Sequence, residues 1–106
     1  MLVIAALWSL NGASMVGAED AVPLAITMKD HKFDPNELHA PAGKPLAVRV
    51  KNLDAIAAEF ESAELHVEKI VTPDGEGMVY IRPQKPGRYN FFDDFHHDTT
   101  GVLVVE

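Results

Sequence analysis

The sequence predicts an all-β sandwich of seven or eight short strands. Three observations carry this: apolar residues recur with period two, turn signals fall roughly every 8–12 residues, and at most one stretch could be helical. A doubly wound α/β fold needs several helical stretches of 10–15 residues, and the chain offers at most one. At 106 residues the chain fits one domain. No internal repeat, low-complexity segment or linker interrupts it.

The first eighteen residues stand apart. Met1 to Ala18 carries no charge, and Leu2 to Leu10 is nearly all apolar; the charged residues begin at Glu19-Asp20. A short apolar run, then Asn11-Gly12-Ala13-Ser14 and an ending Val16-Gly17-Ala18, has the layout of a secretory signal peptide, although it lacks a basic start. The expectation is export with cleavage after Ala18, leaving residues 19–106 as the folded domain. A retained anchor is the alternative. Eighteen helical residues reach roughly 27 Å, marginal for a bilayer.

Val22 to Met28 alternates, with Val22, Leu24, Ile26 and Met28 on one face. Phe33-Asp34-Pro35-Asn36 reads as a turn before Glu37-Leu38-His39-Ala40, and Pro41-Ala42-Gly43-Lys44 as a second turn. Leu46, Val48 and Val50 alternate with Ala47, Arg49 and Lys51. Ala55 to Glu64 is the ambiguous segment: its alanines and glutamates favour a short helix or irregular stretch, but Glu59-Phe60-Glu61-Ser62 also fits a strand. Leu65 to Val71 alternates loosely, Pro73 to Gly77 turns, and Met78 to Ile81 is a strand. Pro83 to Gly87 turns again, and Arg88 to Phe92 and Gly101 to Glu106 close the chain. The expected interior includes Leu46, Val48, Val50, Tyr89, Phe91, Leu103 and Val105.

Composition narrows the chemistry. With 9 basic and 16 acidic residues the net charge is −7. Nucleic-acid binding needs a basic patch and the chain has none; cations are the fitting partners. There is no cysteine, which excludes disulfides, thiolate zinc sites, CxxC redox chemistry and a blue-copper centre.

The densest polar cluster is Asp93-Asp94-Phe95-His96-His97-Asp98-Thr99-Thr100, read as a loop tip between two apolar strands. Carboxylate oxygen and imidazole nitrogen suit Fe, Mn, Zn and Cu(II); a solvated acidic loop is the plain alternative. Glu59, Glu61 and Glu64, with Glu68 close by, form a second cluster. In an extended strand Glu59 and Glu61 share a face, where they repel each other unless a cation lies between them, or else simply wet a strand edge. Met28 is more often core than ligand, and His31, His39 and His66 stand alone. Ser62, His96 and Asp93 could form a triad on paper, but no nucleophile context supports hydrolysis.

Several motifs occur in order: Phe33-Asp34-Pro35, Ala40-Pro41-Ala42-Gly43-Lys44, Val50-Lys51-Asn52-Leu53-Asp54, Pro83-x-x-Pro86-Gly87-Arg88-Tyr89-x-Phe91-Phe92 and Gly101 to Val105. Together they resemble a cupredoxin, which implies a Greek-key β-sandwich over about Val22 to Glu106. In that resemblance the first copper-histidine position falls on Glu59, the cysteine position on Asp93, the second histidine on His96, and the methionine near Thr99 or Thr100. The blue-copper ligand set is absent. Glu59-Phe60-Glu61-Ser62 with Phe91-Phe92-Asp93-Asp94-Phe95-His96 is similar to the cysteine-free periplasmic cupredoxin-like proteins of bacterial ferrous-iron uptake.

That resemblance implies a periplasmic protein binding copper or iron through nitrogen and oxygen ligands. It implies an iron-uptake permease and a second periplasmic metal-binding protein as partners, with a homodimer left open. It also implies, at most, a ferroxidase-like accessory activity before transport. Glu59, Asp93 and His96 are then the first candidates for ligands, followed by Glu61, Asp94 and His97, with Met28 more distant. Carboxylate in place of thiolate favours Fe(III) over Fe(II) and Cu(II) over Cu(I). The alternative is a metal-free β-sandwich module that docks a partner through its acidic loop.

Overall fold

The computed structural model describes residues 20–106; the expected signal peptide lies outside them. Nine strands follow in order: β1 (Val22–Lys29), β2 (Lys32–Asp34), β3 (Glu37–Ala40), β4 (Leu46–Asn52), β5 (Ala58–Ser62), β6 (Val67–Val71), β7 (Glu76–Ile81), β8 (Gly87–Asp93) and β9 (His96–Val105). They form a four-stranded sheet in the order β2-β1-β4-β7 and a five-stranded sheet in the order β3-β9-β8-β5-β6. β1 runs parallel to β4, and β3 parallel to β9; the other pairings are antiparallel.

Period-two burial makes the two sheets pack. Leu46, Val48 and Val50 of β4 are all but inaccessible, while Arg49 and Lys51 face water. Between the sheets Phe60 stacks on Phe91 with centroids 4.8 Å apart, and Phe33 meets Phe91 edge-on at 5.1 Å. Each such pair contributes about 0.5–1.5 kcal/mol beyond the burial of its rings.

One open alternative resolves and three expectations change. The segment 55–64 holds no helix: it bends, then runs as β5, because Ala58, Phe60 and Ser62 alternate inward and burying Phe60 outweighs the helical preference of alanine and glutamate. Asp93 to Thr100 is not a loop. A two-residue turn at Asp94-Phe95 joins β8 directly to β9, with Asp93 opposite His96. The strand count rises to nine, one more than the upper expectation, since Lys32–Asp34 pairs with β1 instead of belonging to a turn. Tyr89 is only partly buried: its ring packs on the core while its hydroxyl donates to the Lys85 carbonyl at 2.7 Å, so the polar tip must stay at the rim.

Loops at one end are tied by side chains. Asp30 and His31 both have positive φ, 53° and 57°, the backbone of a tight two-residue hairpin turn that glycine and asparagine usually occupy. The Asp54 carboxylate accepts from both backbone N–H groups, at 2.7 and 3.0 Å, which holds the turn in place. Those bonds, that from His31 foremost, hold its pKa below the ordinary carboxylate range against the effect of burial. Asn52 is fully buried; its amide donates to the Ile56 carbonyl at 2.8 Å and, more weakly, to those of Val71 and Thr72 at 3.3 Å. Its Oδ1 accepts from the Asp54 N–H at 2.9 Å. Asn52 therefore fixes the chain as it leaves β4 toward β5.

Candidate metal site

β5 lies between β6 and the end of β8, with Phe60 opposite Asp93 and Glu61 opposite both Phe92 and Glu68. Since Phe60 and Ser62 point inward, Glu59 and Glu61 point outward together. The hairpin turn after β8 brings Asp94 to the same face, where its N–H donates to the Glu59 carbonyl at 2.9 Å. One oxygen from each of Glu59, Glu61 and Asp94 lies within 4.8 Å of the others.

The electrostatics of this trio are unfavourable without a cation. Burial pushes the Glu59 carboxyl above its ordinary range, with Asp94, Glu68 and Glu61 adding to it. Burial likewise raises Glu61, followed by the charges of Asp94 and Glu68. Among the described residues, the ion pairs made by arginine go to Glu76 and Glu37, none to this trio. Asp94 does meet His97, whose Nε2 lies 3.0 Å from its Oδ1. Three oxygens on one part-buried face form a hard, anionic donor set.

The other sequence candidates lie elsewhere. Asp93 is 1% exposed and points inward. Its Oδ1 accepts from the N–H groups of Glu59 and Phe95, at 2.9 and 3.0 Å, and its Oδ2 bonds His96 Nδ1 at 3.1 Å. His96 is half-buried at the start of β9, its ring centroid 4.4 Å from that of His31. Met28 lies in the hydrophobic core, away from the trio's outer face. Ser62 is buried, donating to the Asn90 carbonyl at 2.6 Å and accepting from the Leu65 N–H. Those bonds leave it no role as a nucleophile.

The sequence reading left His31 standing alone and took Asn52 and Asp54 only as motif residues; the fold sets His31 beside His96, Asp54 behind the turn that carries His31, and Asn52 against the Asp54 N–H. The alternation of β8 was a usable signal for Asp93. If Phe91 faces inward, so does the residue two positions on.

The match to known proteins fits this architecture. The family model for the cupredoxin-like domain matches residues 1–105. The chain belongs to the cupredoxin-like domain family. This cupredoxin-like chain is 36% identical over 106 residues to an uncharacterized protein of Rickettsia prowazekii (strain Madrid E), covering 99% of this chain and 84% of that one. Among solved structures it is similar to a reduced amicyanin variant (TM-score 0.64, 19% identity, 79% of this chain and 82% of that one). It is also similar to the metal-binding domain, with Cu(I), of the Cu(I)-exporting P-type ATPase CopA of Streptococcus pneumoniae (TM-score 0.69, 17% identity, 79% and 84%). At these identities the likeness establishes the fold. A copper–thiolate centre does not fit this member, which has no cysteine. Among the described residues, the group with three donor atoms close together is the carboxylate trio Glu59, Glu61 and Asp94.

Proposed function

We propose that this cupredoxin-like protein binds a hard, oxidised transition-metal ion, Fe(III) or Cu(II), through Glu59, Glu61 and Asp94. The observation that carries the reading is the convergence of those three carboxylates within 4.8 Å, with two of them held above their ordinary pKa by burial and by each other. A cation relieves that repulsion. An all-oxygen set prefers the higher oxidation state, so it lowers the potential of bound iron and makes Fe(II) easier to oxidise.

From the resemblance to the cupredoxin-like proteins of ferrous-iron uptake we further propose a role in iron acquisition in the periplasm, next to a permease and a second metal-binding protein. It is supported by the hardness of the donor set and by the charge-free start of the chain.

Calorimetric titration with Cu(II) and with anaerobic Fe(II) tests it. The wild type should show one stoichiometric site. Glu59→Gln, Glu61→Gln and Asp94→Asn should each weaken it about tenfold or more, since even losses outside the ligand set cost 10–100-fold. His39→Ala and His66→Ala should bind like the wild type. No saturable heat from the wild type would leave the metal-free docking module as the better reading.

A further inference from the structure

Asp93 is the most deeply buried acidic group of the described residues, and the metal reading gives it no work. Its oxygens are already engaged. Oδ1 takes two backbone N–H groups, that of Glu59 on β5 and that of Phe95 in the turn after Asp94, while Oδ2 takes the ring of His96. The Asp94 N–H returns to the Glu59 carbonyl. One interior carboxylate thus ties together the strand bearing Glu59, the turn bearing Asp94, and His96.

We propose that Asp93 is a positioning residue and not a metal ligand: its buried carboxylate sets the spacing of Glu59 and Asp94 and locks His96 in one tautomer. The first half rests on the carboxylate-site reading; the second stands without it. An ionised carboxylate only accepts hydrogen bonds, so His96 Nδ1 must carry the proton. The neutral ring then presents the Nε2 lone pair away from Asp93, on a ring packed against His31. This is how carboxylates orient imidazoles that act through the other nitrogen.

Asparagine at this position separates the roles. Its Oδ1 must keep the N–H groups of Glu59 and Phe95, because an amide nitrogen cannot accept them. Its Nδ2 then replaces Oδ2 and donates, so His96 Nδ1 must give up its proton and Nε2 must carry it. The backbone ties survive, and the tautomer inverts.

Nitrogen-15 spectra of labelled histidine, recorded without metal at about pH 8, above the ordinary imidazole range, read this directly. The wild type should show His96 protonated on Nδ1, and Asp93→Asn should show it on Nε2. The same protonation site in both proteins, or Nε2–H in the wild type, would overturn the lock. The wild-type spectrum alone decides that point even if no variant folds.

The positioning half is read by titrating Cu(II) into variants that retain the β-sheet circular dichroism of the wild type. Asp93→Asn should bind more tightly than Glu59→Gln, and Asp93→Ala at least about fivefold more weakly than Asp93→Asn, the equivalent of one of the two anchoring bonds that alanine loses. Asp93→Asn binding no better than Glu59→Gln would make Asp93 a ligand. Equal binding by Asp93→Asn and Asp93→Ala would remove its positioning role. A wild type that binds no Cu(II) would sink the carboxylate-site reading and this half with it, while the tautomer result still decides the hold of Asp93 on His96.

Discussion

Replacing Asn52 with alanine should be one of the costliest single changes in this domain. The side chain is completely inaccessible. Its amide uses one hydrogen on the Ile56 carbonyl and shares the other between the Val71 and Thr72 carbonyls, and its oxygen takes the Asp54 N–H. Three net hydrogen bonds at about 1 kcal/mol each give about 3 kcal/mol, before any penalty for leaving buried carbonyls without donors. For a domain of this size that lowers Tm by about 12–24 °C. Asn52→Asp sharpens the test. At neutral pH it places a carboxylate against three carbonyl oxygens, which raises its folded-state pKa, so its destabilisation grows as pH rises through the carboxylate range. Acidification to about pH 4 should therefore narrow its gap to the wild type, as the protonated acid regains one donor. Thermal scans of the three proteins at both pH values read this. A Tm loss under about 4 °C for Asn52→Ala, less than 1 kcal/mol, would refute the view that Asn52 holds the β4–β5 connection.

Four further outcomes are expected. Gly101→Ala drives a Cβ into the ring of Phe91 and to 3.0 Å from the Asn36 carbonyl; it should cost about 1–3 kcal/mol in chemical denaturation, and an unchanged midpoint would contradict this packing. Asp54→Ala should cost about 1–2 kcal/mol at neutral pH by freeing the Asp30-His31 turn; because the folded pKa of Asp54 is lowered, its contribution holds above the unfolded value and fades as pH falls through the folded one, so the gap to wild type should close in acid. Cation affinity should start to fall at a higher pH than an ordinary glutamate would give, since metal needs deprotonated ligands and both Glu59 and Glu61 are raised; a titration curve centred at the unperturbed glutamate value would contradict it. Bound Cu(II) should be pale, because no thiolate is present, and an intense visible band from pure protein would be inconsistent with this ligand set.

Legibility in the sequence tracked locality. The alternation of Leu46, Val48 and Val50 announced β4 because each residue reports its own face. Period two likewise sets Glu59 and Glu61 side by side on one face, and β5 keeps them there. The segment around 55–64 resisted because its propensity is local while the decisive force, the burial of Phe60 against Phe91 of β8, comes from 31 residues away. The Asp93 to Asp98 cluster looked like a loop because polar residues crowd a sheet end, yet most of them are the outward half of a tight hairpin. Asp54 could be read as a motif residue but its role could not: its partners Asp30 and His31 lie 24 and 23 residues earlier, and only the folded chain brings them together.

A cation is proposed to rest on the outer face of β5, beside the turn that carries Asp94. Crystals soaked in Cu(II), with anomalous scattering collected at the copper edge, test it most directly. The expected result is one strong anomalous peak bound by oxygens of Glu59, Glu61 and Asp94 at about 2.0–2.2 Å, ordinary for a carboxylate on a first-row divalent ion. A peak lodged instead between His31 and His96, with the three carboxylates bare, would contradict the account.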